Sequence, residues 1–307
     1  TIEGPDAWFP SMNSYALHVV DADEHLDVRG NRIIAGRGAD GLRGADGADG
    51  DSGQDGSPGG DARNAGDACV NDQTYGGKGG LLICGGVTGV GDLSGGDGGV
   101  SSCPVYYNMA QGNGHRQQDP GPEPSAWGRG GYNARMVERT ITGCRTCNMP
   151  SGQTRIGGAG QPGSDGLHAL GGLACTQGRG HVVDGHWRGY SATGGGAGTH
   201  GIGGGGGGAG GGVEMSGECE GEQGGDDLGG SGGGGGSGAC GAGGGSGGRP
   251  AGGSFGVFIV VGADVVYPPA IHDNVIRLGF GGRGGGGGYG GVGGVGGDGA
   301  AGGAEGA

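Results

Sequence analysis

Oily material is what this chain lacks most. Hydrophobic residues make up 32% of its 307 positions and aromatic ones 5%, against roughly 45–50% apolar residues in an ordinary globular domain. So little cannot fill one large core. Either the chain is disordered or backbone packs on backbone where side chains normally would. The longest apolar run, Val257 to Val261, is far too short to cross a bilayer. Basic residues are scarce too: 17 Lys and Arg stand against 31 Asp and Glu, for a formal net charge of −14. That balance argues against nucleic acid, whose phosphates need a basic surface, and against anionic membranes. The sequence opens at Thr1 with no signal-peptide pattern after it, so a processed, mature chain is expected.

What fills the space is glycine, at 98 positions, and it is placed rather than scattered. From Gly38 it recurs at Gly41, Gly44, Gly47, Gly50, Gly53, Gly56 and Gly59, with Asp40, Asp46, Asp49 and Asp55 each just ahead of a Gly. Near the other end Arg283, Tyr289, Val292, Val295, Asp298, Ala301, Ala304 and Ala307 share one phase in a background of Gly. Ser231, Ser237, Cys240, Ser246 and Arg249 share another. A period of three fits a polyproline-II-type helix, with three residues per turn and about 3.1 Å of rise; α-helices and strands would give 3.6 and 2. Such a helix makes no internal hydrogen bonds, so its N–H and C=O groups need partners on other segments. Where Gly lines a ridge, another backbone can come close enough to supply them.

The fold class expected is therefore mostly irregular and β: a bundle of polyglycine-II helices with a small β layer and little or no α-helix. Candidate helices span 36–59, 76–100, 157–172, 194–212, 228–249 and 281–307, and the run Gly203 to Gly212, broken only by Ala209, can be surrounded entirely. Collagen fits only the 38–59 stretch, because Pro totals 12 and Gly-Gly-X segments are wrong for a triple helix.

Two stretches outside the glycine tracts resemble each other. Ser14-Tyr15-Ala16-Leu17-His18-Val19-Val20 leads to Asn31-Arg32-Ile33-Ile34, and Ser254-Phe255-Gly256-Val257-Phe258-Ile259-Val260 leads to Asn274-Val275-Ile276-Arg277. Each reads as a β-rich strand, a polar turn, an Asn-x-Ile strand and then a Gly tract, like a rung of a parallel β-helix. Leu17, Val19, Ile33, Val257, Ile259, Val261 and Ile276 are the candidate assembly positions. The two copies can pair within one chain or between chains, since open strand edges invite partners. The domain reading is an N-terminal β element at 1–35, a glycine-rich bundle at 36–253 with inserted loops at 101–156, 173–193 and 213–227, a second β element at 254–280, and a final Gly-Gly-X helix at 281–307.

The pattern resembles known polyglycine-II proteins. It is similar to the glycine-rich adhesins at the tips of some phage tail fibres, and to glycine-rich secreted proteins of myxobacteria. The resemblance implies a fold more than an activity.

Chemistry-bearing residues are thin. Cys69, Cys84, Cys103, Cys144, Cys147, Cys175, Cys219 and Cys240 form an even set, which reads as disulfides in an oxidising, extracellular compartment with open connectivity. Cys144 and Cys147 also match a redox or zinc half-site, without a second CxxC to complete it. His181, Asp184 and His186 are the weak candidates for a metal, and the Asp series for Ca²⁺ or simply a solvated acidic ridge. Tyr106, Tyr107, Trp127 and Tyr132, with Trp187 and Tyr190, form possible binding loops. No catalytic constellation and no cofactor motif stands out. The function expected is a non-enzymatic extracellular structural protein, a filament or surface-layer subunit whose main partner is itself. The alternative is an adhesin that grips a cell-surface glycan or protein through its aromatic loops.

Overall fold

A computed structural model describes residues 1–63, 72–85, 92–103, 128, 130, 137–141, 144–148, 156–176, 178–210, 214–215 and 228–304. Among these no helix forms, and the chain is mostly irregular with small sheets. The strands are β1 (Ile2–Glu3), β2 (Ser14–Ala22), β3 (Asp27–Arg29), β4 (Arg32–Ile34), β5 (Asp72–Thr74), β6 (Ser101–Cys103), β7 (Val137–Ile141), β8 (Cys144–Asn148), β9 (Gly180–Val183), β10 (His186–Gly189), β11 (Glu214–Met215), β12 (Ser254–Val261), β13 (Ala270–His272) and β14 (Val275–Arg277). They fall into two compact units, each assembled from three separate stretches of the chain.

The first unit comprises Thr1–Ala48, Ala169–Ala197 and Gly243–Gly291. In it the duplicated motifs lie against each other within one chain. Every pairing between the two copies is parallel: β2 with β12 (Leu17 beside Val257, Val19 beside Ile259), β3 with β13, and β4 with β14. The result is two stacked coils, and β1 adds to the free side of β4 to give the order β1-β4-β14. β-Branched and aromatic residues favour these strands, and the turn before each Asn-x-Ile strand is copied as well. Gly30 and Asp273 both take a left-handed conformation, with φ of 65° and 54°. The asparagines that follow them make a ladder. Asn274 Oδ1 accepts from the Asn31 amide at 2.9 Å, and Asn274 Nδ2 donates to the Val28 carbonyl at 2.6 Å. Ile33, between the edge strands, is fully buried.

Outside the sheets, this unit is knit by backbone bonds that recur at every third residue. The amides of Gly41, Gly44 and Gly47 donate to the carbonyls of Arg283, Gly286 and Tyr289 at 2.8 Å. Gly285 and Gly288 donate in turn to Arg249 and Ser246.

The second unit comprises Asp49–His168, Gly198–Ala242 and Val292–Ala307. Its centre is the stretch 228–240, buried at every position. The donors of this stretch rotate among neighbours: Gly232, Gly233 and Gly234 bond to the carbonyls of Gly99, Gly158 and Ser57, and Gly235, Gly236 and Ser237 repeat the cycle onto Gly96, Gln161 and Gln54. Its carbonyls accept from Gly77 and Gly80, from Gly204 and Gly207, and from Gly297, Ala300 and Gly303. Backbone therefore surrounds it on all sides. The expected surrounded run, Gly203–Gly212, is different: Gly204, Gly207 and Gly210 are buried, while the positions between them are only half-buried, and 211–212 lie outside the described residues. Being surrounded depends on the number of neighbours, and glycine count alone does not report that. The expected single helix at 76–100 is also corrected. Its two ends fold against each other, with Gly95 and Gly98 donating to the carbonyls of Gly80 and Gly77. Small antiparallel sheets complete the unit, β5 with β6 and β11-β8-β7.

Candidate functional site

Of the possible binding-loop residues, Trp187 and Tyr190 lie in the first unit, beside a cluster of packed rings. Tyr15 stacks on His18 at 4.6 Å and on Phe255 at 5.1 Å, while His18 lies 4.5 Å from His186. The β9–β10 hairpin clamps onto β2 through polar bonds. The Trp187 amide donates to Tyr15 Oη at 3.0 Å, Asn13 Nδ2 donates to the Trp187 carbonyl at 2.7 Å, and His18 Nε2 meets the Gly185 carbonyl at 2.7 Å. Trp187 also sits edge-on to Phe255. Where the indole is not packed it lines an open groove of about 300 Å³ with Arg179, Thr176 and Pro250. Tyr190 is exposed and stacks on His181 at 5.0 Å. Tyr106, Tyr107, Trp127 and Tyr132 lie outside the described residues.

The His181, Asp184 and His186 cluster does not converge. His181 faces Tyr190, His186 faces His18, and Asp184 occupies the hairpin turn with φ of 50°. Among the described residues, the one group with metal-ligand proximity is Cys84, His200 and Cys240 in the second unit. Its two sulfurs are bonded to each other as a disulfide, and His200 Nδ1 accepts from the Gly241 amide at 2.9 Å. Both sulfurs and His200 Nδ1 are therefore already used. Cys175 carries a free thiol that donates to the Tyr190 carbonyl, so it does not take the disulfide role expected of it. Cys69 and Cys219 lie outside the described residues, as do the side chains of Cys103, Cys144 and Cys147.

The aspartate series has a role that neither of its sequence readings named. Asp40 and Asp46 accept from the backbone amides of Arg283 and Tyr289 in the first unit, at 2.8 and 2.6 Å. Asp49, Asp55 and Asp61 do the same for Val292, Asp298 and Ala304 in the second, and Ser52 serves Val295. The carbonyl of each of these residues accepts from the Gly that follows the Asp or Ser52 or, after Asp61, from Ala62. One Gly-X-Asp step thus satisfies both backbone groups of one residue opposite. The cue was in the sequence, because the side chains sit immediately before Gly, in phase with a non-Gly position of the C-terminal tract. Asp46 also holds the Arg43 guanidinium at 2.6 Å, and that guanidinium lies 4.4 Å from the Tyr289 ring centroid. Arg43 first, and then the Tyr289 amide, keep the Asp46 carboxyl below its ordinary value.

The assembly positions are brought together as aligned pairs: Leu17 with Val257, Val19 with Ile259, and Ile33 with Ile276; Val261 sits at the irregular end of β12, beside Ala22. Ile33 is buried, while Ile276 is 42% exposed because β14 is an edge strand. No family model, curated protein or solved structure matches this chain.

Proposed function

We propose that this chain is a non-enzymatic, extracellular structural protein, a subunit of a self-assembling filament or surface layer, whose glycine-rich segments are polyglycine-II helices. The observation that carries the reading is the bonding of residues 228–242. They take no backbone bonds from within their own stretch and exchange them with surrounding segments in a cycle of three. Threefold helices, which make no internal hydrogen bonds, would bond to packed neighbours in this way. A scaffold of this kind spends its polar groups on cohesion, as the aspartate series does. The Cys84–Cys240 disulfide and the acidic surface suit an oxidising extracellular setting. Among the described residues no helix is long and apolar enough to cross a membrane.

Negative-stain microscopy of the full chain tests the assembly. Filaments or sheets are expected, and discrete particles under all conditions would sink that part. X-ray diffraction from oriented material tests the helix type through an axial rise of about 3.1 Å per residue.

The groove beside Trp187 favours a second reading, an adhesin that stacks a glycan ring on the indole with Arg179 nearby. Attachment to cells that survives Trp187→Ala and Tyr190→Ala would count against it.

A further inference from the structure

Among the described residues no strand pairs with the outer edges of the sheet β1-β4-β14, and the two edges complement each other. All three strands run parallel, and their register makes two rows. One row is Ile2, Ile33 and Ile276; the other is Glu3, Ile34 and Arg277. An acidic residue therefore stands on one outer strand and a basic residue on the other, in the same row, with an isoleucine beside each. Edge strands usually discourage pairing with charges that repel an incoming copy. Here the charges at the two edges are opposite, and translation of one copy along the row brings them together.

The backbone agrees with this register. The Gly4 amide bonds to the Ile34 carbonyl, and Val275 and Ala35 bond across β14 and β4. In parallel strands alternate residues turn their backbone groups to opposite sides. Glu3 on β1 and Ile276 on β14 are thus the residues whose N–H and C=O groups face outward. A parallel pair with Ile276 opposite Ile2 of a second copy lets the Glu3 amide of that copy donate to the Ile276 carbonyl. The same register sets Arg277 against Glu3 of the second copy.

We infer that a second copy of this chain occupies the outer edge of β14, its β1 strand continuing the parallel sheet with Ile276 beside Ile2 and Arg277 beside Glu3. The contact joins different surfaces of the two copies, so its repetition gives an open, polar filament rather than a closed dimer. The coil stack offers a template for such addition, because β12–β14 already lie on β2–β4 as one coil on the next. Ile276 packs against Gly256 on its inner side, so the edge is held in strand form before a partner arrives.

This inference rests on the filament reading, and a charge swap separates the two. The full-length chain is compared with Arg277→Glu, Glu3→Arg and the double variant by sedimentation and negative-stain microscopy, with circular dichroism as a check that each folds. Like charges set directly opposite each other oppose strand pairing. Each single variant should raise the critical concentration for assembly about three- to tenfold, and the double variant should return it close to that of the parent. If the parent assembles and the single variants match it, or the double variant stays impaired, the β14–β1 contact is wrong while the filament stands. If the parent never assembles, both are wrong.

Discussion

Ser231 and Ser237 occupy the same phase of the same buried stretch, yet their hydroxyls differ in use. Ser237 Oγ accepts from the Gln54 amide at 2.7 Å. Ser231 Oγ is buried with no hydrogen-bond partner. A buried hydroxyl without a partner costs about 1–3 kcal/mol of desolvation, and replacing it with an apolar group of similar shape removes that cost. Ser231→Ala should therefore raise stability by about 1 kcal/mol. Ser237→Ala should lower it by about 1 kcal/mol, because it strands the Gln54 amide. Urea denaturation midpoints of the two variants check the pair, and shifts of the same sign would contradict the assigned roles.

At the scale of the segment, the ridge a glycine lies on matters more than its number. Gly285 and Gly286 are adjacent in the C-terminal tract of the first unit. A Cβ at Gly285 would fall on the Leu42 carbonyl, whereas one at Gly286 meets nothing within 4 Å. Gly285→Ala should destabilise by about 1–3 kcal/mol through overpacking. Gly286→Ala should stabilise by about 0.4–1 kcal/mol by narrowing the unfolded ensemble. Thermal melts of both variants read this directly. The aspartate bonds add a pH dependence. The Asp46 pKa is lowered below 3.8 by Arg43 and then by the Tyr289 amide. Its contribution is therefore fully present above 3.8 and is lost as pH falls through the lowered folded value. Asp46→Asn keeps an acceptor for the amide but does not titrate, so its stability should fall less steeply in acid than that of the parent. An acid titration followed by circular dichroism compares the slopes. The period of three and the copied Asn-x-Ile motif were legible in the sequence, because both are local and repeat. The aspartate bonds were half legible: the phase showed, but their acceptor role required knowing that a segment 243 residues away runs alongside. The centrality of 228–240 over 203–212 was not legible, since it is a property of neighbours.

At the scale of the whole chain, the sequence marked out a small β layer and a large glycine-rich remainder but could not pair its cysteines. Cys84 and Cys240 sit 156 residues apart, inside the second unit. Both are buried beside Leu93, and Cys240 ends the stretch that other segments surround. In the chain-entropy account a loop of that length is worth about 5 kcal/mol, less any native strain. The disulfide matters more here than in an oily domain, because few large side chains oppose opening: Leu93 and Leu228 are the largest fully buried ones among the described residues of this unit. Replacing both cysteines with alanine should lower the denaturation midpoint by an amount equivalent to several kcal/mol, near that expected for loss of the cross-link. The loss should also be local. Hydrogen exchange at the Gly235 and Gly238 amides, which bond to Gly96 and Leu93, should speed up before exchange at the Asn31 amide of the first unit changes. Unchanged protection at Gly235 and Gly238 in the double variant would show that backbone bonding alone holds the stretch in place.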